Sequence, residues 1–368
     1  MGANAFEAAS VALDSTGGAV AAWREGPLGR VVYALRAAGG GFGRPRNAGP
    51  PPPSDRATDV RPFVAAGAGR FVVAWYAYVP RVGPGGERLR GLMQVARVRV
   101  GSLATGRLGP PVTLGESLTD FIVAGSRPVA IEETGAVRVL WWRVASSPGR
   151  AWEAVMSVLG PGQRSFQTVR LPDPVSRPDA YHDSTVLVSA PGGRLAALLF
   201  RAQLDGDFPD PALPPALSRL APAGFPPPAF APAANPGQST SASAAFGKGD
   251  EILVAWIDRP RRVITYDDQV GPLRVAVLNA EGSFTNIRLL SSGHARRPTA
   301  ARLDDGRVLT LWSTGSRYQA ALSDRAGRLA PTAVPRGRPF HREFVTAGRY
   351  AALIGQRRDR VVASVRRF

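Results

Sequence analysis

One six-residue pattern recurs seven times along the chain and constrains the fold more than any other feature. A small or turn residue is followed by five residues that end in a large apolar one: GAVAAW at Trp23, RFVVAW at Trp75, AVRVLW at Trp141, RLAALL at Leu199, EILVAW at Trp256, RVLTLW at Trp312 and RYAALI at Ile354. Successive copies are 52, 66, 58, 57, 56 and 42 residues apart. Each follows a turn signal rich in Gly and Asp, such as Asp14-Ser-Thr-Gly17, Gly67-Ala-Gly69, Pro191-Gly-Gly193 or Asp304-Asp-Gly306. A repeat at this period means one supersecondary unit used many times, because a single unit cannot bury its own apolar face.

The unit is made of short strands. A second β-like run follows most copies: VVYALR (31–36), LMQVARV (92–98), WEAVMSV (152–158), LRVAVLN (273–279), YQAALS (318–323) and VVASV (361–365), with ALSRLA (216–221) as the fourth unit's best match. A Gly-containing turn and a large apolar residue come next, at Phe42, Leu108, Phe166, Phe225, Phe284 and Leu329. The central runs, FVVAWY and VLWW among them, are apolar on both faces. A sandwich strand with one wet face alternates, whereas a strand inside a stacked blade is covered on both sides. No stretch carries a 3.6-residue period with caps, so helices are expected to be few.

Seven units of four short strands predict an all-β fold, a seven-bladed β-propeller forming a single domain over 1–368. The blades span about 7–49, 57–115, 120–172, 177–230, 236–291, 296–336 and 338–368, with strands A to D running outward from the axis. The chain ends after the third strand of the last blade. That blade is therefore either three-stranded or completed by Gly2–Phe6, a cramped closure because Phe6 lies only five residues before Val11.

Composition narrows the chemistry. The 368 residues carry 46 basic and 28 acidic side chains, a net charge of +18, and no cysteine. Disulfides, thiolate metal sites and cysteine nucleophiles are thereby excluded. No apolar run is long enough to cross a membrane as a helix, and MGANAFEAAS lacks the basic start and apolar stretch of a signal peptide, which leaves localisation open. Lys248 is the sole lysine, so 45 of the basic residues are arginines. With 41 Gly and 34 Pro, that bias fits a GC-rich coding sequence and a solvated surface. The competing reading is a functional surface that attracts phosphate, sulfate or carboxylate polymers.

The carriers VALDSTGGAVAAW (11–23) and RPTAARLDDGRVLTLW (297–312) resemble the bacterial propeller repeat of BNR-type and sialidase-like proteins. The resemblance covers the whole chain and speaks for the fold, since propellers host many chemistries. The strict Asp-box is not met, because Asp14 and Gly17 stand three apart rather than two. In such propellers the B–C and D–A connections share the ligand-binding mouth of the channel. An Arg-Pro pair enters strand A in five units, at Arg61, Arg127, Arg177, Arg297 and Arg338, and composition predicts about four such dipeptides where the chain has seven. Their phasing would set part of an arginine ring at the mouth, able to fork onto anions. The plainer explanation is that Pro opens the strand because its missing N–H suits that place. His182, His294 and His341 also fall in D–A connections, as candidate ligand-binding side chains or as ordinary polar loop residues.

A sialidase-like site, as the resemblance implies it, needs three arginines, a tyrosine nucleophile and an aspartic acid. Arg61, Arg127 and Arg297 fit the first role, Tyr266 or Tyr181 the second, and Asp183, Asp267 or Asp268 the third, without a motif that locks them in register. Asp205, Asp207 and Asp210 alternate as in a calcium loop but lack the glycine and terminal Glu of an EF-hand. No P-loop, nucleophile elbow or glycosylation sequon is present, no H-x-H spacing suggests a metal, and no cofactor is expected. The reading with most support is a non-catalytic binding protein for an anionic glycan or polyanion, or for a protein partner, at the arginine-rich mouth. Sequence-specific nucleic-acid recognition is not expected. The alternatives are an exo-acting glycosidase of sialidase type on the same face and a pure interaction scaffold.

Overall fold

A computed structural model describes residues 9–25, 29–49, 62–83, 85–117, 128–144, 152–170, 184–190, 192, 194–200, 216–219, 229–230, 238–259, 270–314, 317–324, 328–332, 341–347, 350–357 and 360–367. All regular structure among them is β-strand, in antiparallel meanders whose strands follow chain order. Each copy of the sequence repeat forms strand B of one meander. Blade 1 is Ala9–Leu13, Ala19–Glu25, Arg30–Arg36 and Arg46–Asn47. Blade 2 is Pro62–Gly67, Arg70–Val82, Arg88–Ser102 and Val112–Ser117. Blade 3 is Val129–Ile131, Val137–Val144, Trp152–Leu159 and Gln167–Arg170. Blade 4 is Ser184–Ala190, Arg194–Phe200, Ala216–Arg219 and Ala229–Phe230, so ALSR is strand C of the least regular unit.

Blades 5 and 6 are joined, where the sequence suggested a break between 291 and 296. Gln238–Phe246, Ile252–Arg259 and Gly271–Leu278 are followed by one strand, Phe284–Arg302, which is the outer strand of blade 5 and then the inner strand of blade 6. Val308–Thr314, Arg317–Ser323 and Leu329–Thr332 complete blade 6. The D–A connection here is too short to leave the sheet, and the chain bends instead at register shifts and at two left-handed residues, Asn286 (φ 54°) and His294 (φ 55°). The last blade has three strands, His341–Ala347, Tyr350–Arg357 and Arg360–Arg367, while Gly2–Phe6 lies outside the described residues.

The chain divides into two compact units. The first holds blades 1 to 3 together with the last blade, and the second holds blades 4 to 6. Within each, the apolar clusters lie between neighbouring blades, which is why strand B is apolar on both faces. In the first unit the final blade packs Val345, Ala352 and Ile354 against Val11, Ala21, Trp23 and Val32 of blade 1. Trp23, Trp75, Trp141, Trp256 and Trp312 are all buried.

Two features repeat at these joints. Trp75 lies against Gly49, where an added Cβ would stand 2.6 Å from Cζ2, and Trp141 covers Gly115 of the preceding blade's outer strand, where an added Cβ would stand 2.5 Å from Cζ3 and 2.8 Å from Cζ2. Only a residue without a side chain leaves room for these indoles. At the A–B turns, the first residue of one blade's strand B reaches a positive-φ glycine of the next blade's turn. Arg70 Nη1 donates to the Gly135 carbonyl at 2.7 Å, Arg194 Nη1 donates to the Gly249 carbonyl, and the Tyr350 ring covers Gly17. Carbonyls at a tight turn lack ladder partners, and a guanidinium satisfies them with a charge-assisted bond.

Candidate functional site

The sequence assigns every expected site residue to a B–C or D–A connection. Arg61, Arg127, Arg177, Arg338, Tyr181, His182, Asp183, Tyr266, Asp267 and Asp268 lie outside the described residues, as do Asp205, Asp207 and Asp210. Of Arg297 and His341 the structure describes the backbone, in strands that open blades 6 and 7. Two prolines of the Arg-Pro pairs stand where the ladder needs no N–H. Pro62 is the first residue of its strand, and Pro298 sits in the gap between the pairs Arg296↔Ser313 and Thr299↔Leu311, where no ladder N–H is required.

The part of this end that is described in full belongs to blade 6. His294 is exposed in a left-handed conformation, just before Ala295 pairs with Thr314 and Arg296 with Ser313. Thr314 pairs onward with Arg317, and Ser313 with Tyr318. Arg296 and Arg317 are exposed on strands two apart, and the register sets Arg296 in line with Ser313 and Tyr318 and Arg317 in line with Thr314, on the other face of the sheet. Ser291 Oγ donates to the Gly293 carbonyl at 3.2 Å and Ser313 Oγ to the Arg296 carbonyl at 3.4 Å, fixing the backbone from which His294 and Arg296 project. The B–C and D–A end of blade 6 thus exposes a basic side chain on each face, with His294 at the bend between them. Arg317, which follows a two-residue B–C turn rather than a proline, was not legible as part of it.

Among the described residues two acids near these ends are already paired. In blade 5 the Asp258 carboxylate, 7% exposed, accepts from Arg274 Nε across the B–C hairpin. Blade 1 has the equivalent pair, Glu25 Oε2 with Arg30 Nη2 at 2.8 Å. Both acids stand two residues after the repeat's tryptophan, in WRE and WID, a signal that could have been read from the sequence. At the opposite ends of the blades Glu132 pairs with Arg138. Asp14, the near-match to an Asp-box, serves its own turn: Oδ1 accepts from Thr16 N at 2.9 Å, Thr16 Oγ1 at 2.7 Å and Gly18 N at 2.7 Å. Asp305 and Asp324 accept the backbone N–H of Arg307 and Arg328 in the same way.

Arginines at the A–B and C–D ends are structural as well. The A–B turn of blade 5 is held by Arg194 of blade 4 and by Arg302 of blade 6, which donates to the Gly247 carbonyl. Arg219 donates to the carbonyls of Leu278 and Ala280 at 2.9 and 3.0 Å and to that of Asn279. Burial lowers the pKa of Arg302, helped by the positive charge of Arg194 and opposed by Asp304 and Asp305. Burial likewise lowers that of Arg219, against the pull of Asp250 and Glu281. A cavity of about 20 Å³ beside Lys248, Glu251 and Asp324 has room for one water molecule. Among the described residues no group of three His, Asp or Glu side chains is placed to hold a metal ion.

No protein-family model matches the sequence, and none of the curated proteins compared with it matches. Solved structures do match in three dimensions. The Hadza microbial sialidase Hz136 superposes with a TM-score of 0.53 at 12% identity, over 86% of this chain and 65% of that one. The leech intramolecular trans-sialidase gives 0.51 at 10% identity, over 85% of this chain and 65% of its own. A Dyadobacter fermentans protein of unknown function gives 0.50 at 14%, over 89% and 94%. The chain thus spans about two thirds of the length of the two sialidase structures. At this identity the likeness concerns the fold alone, an all-β propeller.

Proposed function

We propose that this chain is a non-catalytic propeller that binds an anionic polymer or glycan, or an acidic face of a protein partner, at the arginine-rich B–C and D–A ends of its blades. The observation that carries the reading is the basic end of blade 6, where His294, Arg296 and Arg317 are exposed while neighbouring acids such as Asp258 are already paired. Guanidiniums recognise carboxylate and sulfate by parallel N–H donation. A single exposed ion pair contributes about 0.2–1 kcal/mol, so useful affinity needs many contacts along a polymer. Arg61, Arg127, Arg177, Arg297, Arg338, His182 and His341 are the further contributors this reading expects.

Titrating a panel of acidic glycans and polyanions against the wild type and R296A/R317A tests it. Saturable binding that the double variant loses supports the reading, and equal binding by both overturns the blade-6 site. The runner-up is a sialidase-type hydrolase, favoured by the fold likeness to two sialidases. Turnover of a sialyl substrate that is abolished by Tyr266→Phe or Tyr181→Phe would establish that reading instead.

A further inference from the structure

The C–D ends of blades 1 and 2 form a basic rim with no acid to neutralise it. Residues 29–49 and 95–115 cover both C–D turns and most of the strands on either side, and they hold seven arginines and no Asp or Glu. The chain's average of 28 acids in 368 residues predicts about three in these 42. In blades 5 and 6 the corresponding turns are mixed, with Glu281 in one and Asp324 beside Arg325 in the other. A coding bias towards arginine would not by itself remove the acids.

Three of these arginines, Arg44, Arg46 and Arg107, are exposed. Arg46 crosses the joint between the blades. Its Nη1 donates to the Gly106 carbonyl at 2.6 Å, which sets its guanidinium beside the backbone of Arg107 and two residues from Arg44. The same carbonyl accepts from the buried Tyr33 hydroxyl at 3.3 Å. Beneath them Arg99 ties the two blades together, donating to the carbonyls of Ala48 and Gly109 at 2.7 and 2.6 Å. The rim is thus held rigidly, and its bonds go to neutral carbonyls, which leave the positive charge in place. Among the described residues no hydrogen bond or ion pair engages the side chain of Arg44 or Arg107.

The surroundings narrow the partner. Positions 37–41 and 104–105 are alanine, glycine or threonine and all are exposed, so the arginines are the longest side chains on these turns. The exposed large apolar residues of the described chain, Val169, Ile287 and Leu289, belong to blades 3 and 5, and Phe42 is half-buried. The rim therefore has no apolar wedge for hydrocarbon and no exposed ring on which a base could stack. We infer that it docks peripherally on an anionic phospholipid bilayer, with Arg44, Arg46 and Arg107 donating to headgroup phosphates. A bilayer offers phosphates across a plane, so several guanidiniums engage at once without a pocket. The net charge of +18 adds long-range attraction to the same surface. The inference is independent of the blade-6 end.

The test is co-sedimentation with vesicles of phosphatidylcholine, with and without about one third phosphatidylglycerol, at about 0.1 M and about 1 M salt, where the screening length falls from about 10 to about 3 Å. Each arginine near an anionic leaflet is expected to contribute about fivefold. R44Q/R107Q, which breaks no bond of the fold, should therefore bind about 20–30-fold more weakly, and adding R46Q should bring the loss to about 10²-fold. R164Q/R288Q removes the same number of charges from other blades and should keep the wild-type affinity. The wild type should ignore pure phosphatidylcholine and release the anionic vesicles at high salt. No vesicle binding by the wild type, an equal loss in R164Q/R288Q, or binding that persists at high salt overturns the rim. Saturable binding of soluble polyphosphate with the same loss in R44Q/R107Q also overturns it, in favour of a polymer site. None of these outcomes decides the glycan titration of the blade-6 end.

Discussion

Replacing Gly115 by alanine probes the interblade packing that organises this fold. The Trp141 indole lies on Gly115, and the new Cβ would stand 2.5 Å from Cζ3 and 2.8 Å from Cζ2. The ring has little freedom to withdraw. Its Nε1 donates to Ser157 Oγ at 2.9 Å, Ser157 is fully buried and lies 3.3 Å from Thr168 Oγ1, and Trp141 is 3% exposed. Overpacking of this kind costs about 1–3 kcal/mol, and displacing the indole from Ser157 adds about 1 kcal/mol. Against this, alanine is favoured over glycine within a strand by about 0.5–1 kcal/mol. The expected net loss is about 2–3 kcal/mol, read as a lower urea midpoint at constant m. In a W141L background the shorter side chain clears the new Cβ, so the same substitution should then cost less than about 0.5 kcal/mol. A wild-type midpoint for G115A, or the same cost in both backgrounds, would refute the packing argument.

Three other outcomes follow from the same structure. Arg70→Ala removes a charge-assisted bond to the Gly135 carbonyl and should destabilise by about 1–2 kcal/mol in urea unfolding, whereas Arg107→Ala at an exposed turn should stay within about 0.5 kcal/mol. Arg274→Ala leaves the buried Asp258 carboxylate unpaired and should cost about 3 kcal/mol, most of it recovered in the D258N/R274A pair. Burial raises the pKa of Tyr76 well above its usual 10. The folded state therefore holds the neutral phenol while the unfolded chain ionises, so that contribution is full below pH 10 and is lost as pH rises beyond it. Tyr76→Phe should flatten the alkaline limb of the stability profile, and an unaltered limb would remove Tyr76 as its cause.

How much of this was legible in sequence follows from where burial acts. Strand B was readable because blades packed on either side cover both its faces, as in blades 2 and 5, which forces runs such as FVVAW and ILVAW. The glycines under the tryptophans carried a signal too, since Gly49 and Gly115 each stand 26 residues ahead of Trp75 and Trp141. The arginines were harder. Composition posed a choice between coding bias and an anion surface, yet Arg70, Arg194, Arg219 and Arg302 hold turn carbonyls across blade joints, a role set by three-dimensional neighbours that no spacing encodes. The B–C and D–A ends were least legible because those connections obey no period. The long blade-2 hairpin passed unnoticed, and Arg317 has no Arg-Pro signature.

The central claim is that the arginine-rich ends bind anions and perform no chemistry. Its most direct test is calorimetric titration of an acidic glycan into the wild type and R296A/R317A at two salt concentrations, with product analysis of the same samples. The account predicts saturable, salt-sensitive binding by the wild type, its loss in the variant, and recovery of the glycan intact. Cleavage of the glycan, or identical isotherms for the two proteins, would contradict it.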